Sequence, residues 1–214
     1  MTRADAMGAL LAFVARLITG AQGHWKGCPP KAEQRIYFAN HQSHLDWVLI
    51  WAALPQELRV RTRPIAARDY WTSSPFKQWL TTAVFNAVYV SRTRAKAAPG
   101  AAVDDQDPLE PLVAALHNGD SLVIFPEGTR SNREEPQPFK SGLYYLAQQF
   151  PAVQLIPAWI DNVQRVMPKG EVVPVPILCT VTFGVPMQLL PGEDKPVFLG
   201  RARQAVLAAR PGRA

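Results

Sequence analysis

Two short stretches of the chain carry side chains whose types and spacing suit proton transfer and anion binding. The first is Asn40-His41-Gln42-Ser43-His44-Leu45-Asp46. A carboxylate that hydrogen-bonds one imidazole nitrogen leaves the other as a free base, and His41 and Asp46 stand close enough for that pairing across one turn. The second is Leu122-Val123-Ile124-Phe125-Pro126-Glu127-Gly128-Thr129-Arg130-Ser131. Arg130 offers a planar fork that matches a phosphate, and Gly128 lets backbone come close to a ligand. Ser43 has no second base of its own and reads as a helix cap rather than a nucleophile. His41, His44 and Asp46 could instead ligate a metal ion, which would make the protein a metal-dependent hydrolase. Against that, the four His of the chain lie at positions 24, 41, 44 and 117, and neither His24 nor His117 follows a strand of this kind.

These side chains need rigid supports. Ile36-Tyr37-Phe38-Ala39 is short, β-branched and aromatic, and reads as a buried strand; Leu45 to Leu54 is longer and rich in Leu, Ala and Trp, and reads as a helix. His41 then lies in the turn leaving the strand and Asp46 in the first turn of the helix, where a carboxylate is favoured. The second stretch repeats the arrangement, with a strand from Ser121 to Phe125 entering the arginine turn. Both sets fall at carboxyl ends of strands, where open α/β sheets hold their ligands.

Further along, Pro64 to Ala67 reads as a short strand followed by a turn, and Ser74-Pro75 as a helix start with Phe76, Trp79, Leu80 and Ala83 at helical spacing. Asn86 to Arg92 reads as a strand, Ala97 to Asp107 as an exposed loop, and Pro108 to Asn118 as an amphipathic helix capped by Gly119. A helix from Leu143 to Phe150, strands from Val153 to Ile160 and from Leu178 to Phe183, and a closing helix from Lys195 to Arg210 complete the pattern. Gly20, Gly23, Gly27, Pro29 and Pro30 mark a turn-rich connection ahead of the first strand.

The two chemical stretches together resemble the 1-acylglycerol-3-phosphate acyltransferases. That family's first motif is His, four residues, Asp, here His41 to Asp46 with Asn40 in front, and its third is Phe-Pro-Glu-Gly-Thr-Arg-Ser, here Phe125 to Ser131 unchanged. The resemblance runs roughly from Arg35 to Asn162. Phe139, Lys140 and Gly142 also match it, and Leu155 to Ile160 resembles its fourth motif. The second motif departs: Ser91-Arg92 keeps the arginine and lacks the preceding aspartate, and a lysine near Ala67 is absent.

The resemblance implies an α/β fold, a single-domain sandwich with a mixed, largely parallel central sheet flanked by helices. It implies acyl transfer from a thioester of coenzyme A or acyl carrier protein to the hydroxyl of a lysophospholipid, foremost 1-acylglycerol-3-phosphate to give phosphatidic acid, with another lyso-lipid as the alternative acceptor. His41 would be the base and Asp46 its orienting partner. Glu127, Gly128, Thr129, Arg130 and Arg92 would bind substrate, with neither a metal nor a further cofactor.

The length of 214 residues suits one sizeable core. Cys28 and Cys179 are far apart and give no disulfide framework, which fits a reducing compartment. A formal charge of +6 and a pI near 9.6 suit an anionic partner, and without a nucleic-acid motif that partner reads as a membrane surface or an acidic substrate rather than nucleic acid. Met7, Leu10, Leu11, Val14, Leu17 and Ile18 form an amphipathic helical stripe, so residues 1–20 read as an N-terminal helix and 21–214 as the acyltransferase domain. That helix either packs on the domain or lies in the membrane interface. No segment reaches the ~20 apolar residues of a membrane span. The expected location is therefore cytoplasmic, peripheral on the inner face of the cell membrane.

Overall fold

The computed structural model describes residues 6–8, 10, 13, 22–43, 46–90, 109–131, 133–161 and 179–212. Its centre is a seven-stranded sheet of β1 (Gln22–Trp25), β2 (Arg35–Ala39), β3 (Thr62–Ala67), β4 (Val88–Val90), β5 (Ser121–Ile124), β6 (Gln154–Asp161) and β7 (Thr180–Phe183), in the order β1-β7-β6-β2-β5-β3-β4. β6, β2, β5, β3 and β4 run parallel; β7 pairs antiparallel to β6 and carries β1 parallel to itself at the edge. The expected mixed, largely parallel sheet is therefore present.

β2 and β5 lie in mid-sheet with every residue buried, which is why both read as unbroken apolar runs. Successive side chains alternate between two packed layers. Tyr37, Ala39, Val123, Ile156, Ala158 and Ile160 face α1 (Asp46–Ala53), where they meet Trp47, Leu49, Ile50 and Trp51. Ile36, Phe38, Leu122, Ile124, Leu155 and Trp159 face the other way. There they pack on Leu112 and Leu116 of α5 (Glu110–His117), Leu143 and Leu146 of α6 (Gly142–Gln149), and Phe198 and Val206 of α7 (Lys195–Ala208). Burying each such large side chain contributes about 1.5–3 kcal/mol. The result is an α/β/α sandwich that pins both ends of β2 and β5.

Several expectations are corrected. The stretch around Gly23 is strand β1, not a turn-rich connection. A Cβ at Gly23 would come within 3.0 Å of the Ala53 carbonyl and 3.3 Å of the Phe183 ring, so the strand needs the glycine that reads as a breaker. Trp25 then stacks on Phe183 with ring centroids 4.1 Å apart. A short α2 (Gln56–Arg59) precedes β3, and the turn expected after β3 is a helical segment, α3 (Arg68–Trp71). The helix entered at Pro75 is α4 (Pro75–Trp79), which widens into a π-helical turn over Leu80–Val84. Asn86, at φ 47°, ends that run and turns the chain into β4, which starts at Val88 rather than at Asn86 as expected.

Ala6–Gly8, Leu10 and Phe13 are helical, while the remainder of 1–20 lies outside the described residues, as does the expected loop at Ala97 to Asp107. Gly8 is buried beside Val84 and Trp51, and Leu10 and Phe13 are 53% and 62% exposed. No helix among the described residues is long and apolar enough to cross a membrane. Cys28 and Cys179 are free and buried, and burial pushes the Cys179 thiol up to about 11.

Candidate active site

The chain leaves β2 at Asn40, whose buried side chain continues the sheet. Its amide nitrogen donates to the Ile160 carbonyl (3.0 Å) and its amide oxygen accepts from the Ile160 N–H (2.8 Å). Asn40 thereby ties the turn to β6 and sets the direction of His41. The His41 ring stacks on Phe125, centroids 4.2 Å apart and planes 13° from parallel. Its Nδ1 lies 2.8 Å from Asp46 Oδ2.

Asp46 starts α1, yet its side chain folds back over the preceding turn. Besides His41, its Oδ2 accepts the backbone N–H groups of Gln42 (2.6 Å) and Ser43 (2.8 Å). Only 1% of that side chain is exposed, against 12% for His41. The carboxylate thus both closes the turn and holds the imidazole, so Nδ1 is the engaged nitrogen and Nε2 the available one. Asp46 Oδ1 is buried without a hydrogen-bond partner. The sequence placed His41 in the turn leaving the strand and Asp46 in the first turn of the helix, and the structure brings them into contact.

The arginine turn after β5 grips the histidine turn. Glu127 Oε1 accepts the His41 N–H and the His41 carbonyl accepts the Ser131 N–H, both at 2.8 Å, so both backbone groups of His41 are held by the neighbouring turn. Glu127 Oε2 accepts the Gln137 N–H at 2.8 Å. Glu127 is 3% exposed. Each carboxylate oxygen takes one inward backbone donor, which needs an acceptor there. Burial pushes the Glu127 carboxyl above its usual range, and the bonds from Gln137 and His41 pull it back.

Gly128 sits at φ +70°, a conformation that favours glycine, and with Thr129 and Arg130 it is exposed. The two turns, joined through the backbone of His41, therefore carry a partly buried imidazole on a buried carboxylate in one and an exposed arginine in the other. Arg92 and His44 lie outside the described residues. Among the described residues no group of three or more His, Cys, Asp or Glu is placed to hold a metal ion.

Sequence reasoning missed Phe125 as the surface under the imidazole, Ser131 as a backbone anchor and Gln137 as the second donor to Glu127. The first two belong to the quoted motif, so their proximity had a signal. Gln137 lies in a polar loop with nothing to mark it. Arg203 of α7 steadies that loop, donating to the Pro136 carbonyl (2.8 Å) and to Glu135 (2.7 Å).

The model of the Acyltransferase family matches residues 28–161, the span that holds both turns. The chain belongs to that family. Human 1-acyl-sn-glycerol-3-phosphate acyltransferase alpha is 30% identical to this acyltransferase-family chain over 183 residues, covering 83% of the chain and 59% of the human protein. The bovine protein of the same name is also 30% identical, and the coconut 1-acyl-sn-glycerol-3-phosphate acyltransferase is 33% identical over 140 residues, 62% of the chain and 42% of its own length. The chain thus spans about six-tenths of the mammalian relatives' length. The crystal structure of the 1-acyl-sn-glycerophosphate (LPA) acyltransferase PlsC from Thermotoga maritima superimposes with a TM-score of 0.68 at 20% identity, over 96% of this chain and 76% of that one. That likeness shows the fold expected of the family.

Proposed function

We propose that this acyltransferase moves a fatty acyl group from a thioester of coenzyme A or acyl carrier protein to the free hydroxyl of 1-acylglycerol-3-phosphate, giving phosphatidic acid. The observation that carries the proposal is the 2.8 Å contact of His41 with buried Asp46, held against the exposed turn of Arg130. The activity in the names of the human, bovine and coconut relatives supports the same chemistry.

His41 Nε2 removes the acceptor's hydroxyl proton as the oxygen attacks the thioester carbonyl. Collapse of the tetrahedral intermediate expels the thiolate, which takes the proton back from the imidazolium. The proton balance closes without a covalent enzyme intermediate. Asp46 keeps the ring in one tautomer and stabilises its protonated form. A base so placed contributes typically ~10²–10⁴-fold.

Arg130 pairs with the acceptor's phosphate, and the open backbone at Gly128 and Thr129 admits the head group. Arg92 supplies a further phosphate contact. Glu127 acts on substrate only through His41, as a positioning residue. The exposed Leu10 and Phe13 meet the membrane interface from which the lipid is drawn, which makes the protein peripheral at the inner face of the cell membrane.

The test is transfer of labelled acyl groups from acyl-CoA and from acyl carrier protein to a panel of lysophospholipids, glycerol 3-phosphate and monoacylglycerol. Labelled phosphatidic acid, formed fastest from the lysophosphatidate, is the expected product. Transfer to another lyso-lipid at a higher kcat/KM would reassign the acceptor, and hydrolysis without transfer would remove the proposal.

A further inference from the structure

The arginine turn holds a second cation. The Lys140 N–H donates to the Pro126 carbonyl at 2.8 Å, which brings residue 140 alongside the turn. Its side chain then lies over Gly128: a Cβ at that position would come within 2.7 Å of Lys140 Nζ and 2.8 Å of its Cδ and Cε. The missing side chain at Gly128 is what admits the lysine. The ammonium group therefore borders the same elbow as Arg130, two positions further along.

No hydrogen bond or ion pair engages the side chain of Lys140 or of Arg130 among the described residues. The turn's own acid does not neutralise them, because Glu127 is buried and committed to the N–H groups of His41 and Gln137. In the following loop Glu135 is paired with Arg203. Two unneutralised cations at one exposed elbow repel each other unless an anion joins them. A phosphate monoester carries about −1.5 to −2 charges at neutral pH and offers three acceptor oxygens. A diester carries a single negative charge and leaves one cation unmatched.

We propose that Lys140 and Arg130 form a two-cation clamp across Gly128, in which Lys140 supplies the second charge and selects a phosphate monoester over a diester in the acceptor's head group. The clamp rests on the reading of Arg130 as the phosphate contact. Lys140 is then a specificity-determining residue for the acyl acceptor. Gly128 also has a second role, since any side chain there would displace the lysine.

Calorimetric titration of the full chain with glycerol 3-phosphate and with glycerophosphocholine tests this. Lys140→Met is expected to weaken binding of the monoester by about tenfold or more, the size of one charge-assisted hydrogen bond, and so to erase most of the preference over the diester. Lys140→Arg should restore much of it. Lys31→Met is the matched control, since Lys31 precedes β2 and lies beside Glu33. Thermal melting run alongside checks that each variant is folded, and Lys140 is exposed, so no loss is expected. A Lys140→Met protein that binds glycerol 3-phosphate within about twofold of the parent overturns the clamp, as does a parent with no preference for the monoester. Arg130→Ala separates the two ideas. If it alone loses the monoester, the arginine reading stands and the lysine falls; if Lys140→Met alone loses it, the lysine stands and the arginine reading falls.

Discussion

The turns after β2 and β5 leave neighbouring parallel strands at the same edge of the sheet, yet they are built in opposite ways. In the histidine turn the polar groups face inward and, Asp46 Oδ1 apart, are matched. Asn40 and Asp46 are 2% and 1% exposed, the Asn40 amide satisfies both backbone groups of Ile160, and one oxygen of Asp46 takes three donors. In the arginine turn Gly128, Thr129 and Arg130 point outward. Its inward carboxylate, Glu127, serves the other turn by holding His41. The roles proposed above fit this difference: proton transfer needs a base fixed to within a fraction of an ångström, and anion capture tolerates adjustment.

Substitutions in the two turns should therefore differ in kind, and the largest effect belongs to the base. His41→Ala should lower kcat by ~10³-fold, within the ~10²–10⁴ range of a general base, with an unchanged circular dichroism spectrum. A loss toward the lower end of that range, about 10²-fold, is expected from Asp46→Asn, since the base itself is kept. The amide oxygen can keep all three donors while the amide nitrogen takes the unpartnered place of Oδ1, so charge is lost and geometry kept. Asn40→Ala should cost about 1–3 kcal/mol in urea unfolding, because it strands the N–H and carbonyl of Ile160. Wild-type stability in that variant would show the histidine turn to be less tightly determined than the hydrogen bonds indicate. Gly128→Ala should leave kcat least changed. Strain at φ +70° costs about 1–2 kcal/mol locally and the added methyl displaces Lys140, so the effect should appear as a rise in acceptor KM of about tenfold with little change in kcat. Loss of kcat instead would mean that the open turn also sets the base.

The geometry of the candidate site was legible where the controlling contacts are short in sequence. His41 and Asp46 meet across a single turn, and the apolar runs of β2, β5 and β6 announce strands buried on both faces. The Phe125 to Ser131 stretch placed its arginine correctly on an exposed turn. Legibility failed where a distant contact decides. Nothing local in the sequence marks the bonds that Glu127 accepts from the N–H groups of His41 and Gln137. Gly23 reads as a breaker because nothing local records the close approach of Ala53 and Phe183. The π-helical turn before Asn86 has the same apolar spacing as an ordinary helix end. The closing helix was found with its start at Lys195, because its Pro and apolar residues signal locally.

The division of labour is tested most directly by initial rates of acyl transfer measured over a range of acceptor concentrations for Asp46→Asn and Arg130→Ala side by side. The expected result is a loss in kcat with acceptor KM nearly unchanged for the first, and a rise in acceptor KM with kcat largely retained for the second. If both substitutions fall on the same kinetic constant, the two turns are not a fixed base and an open anion site.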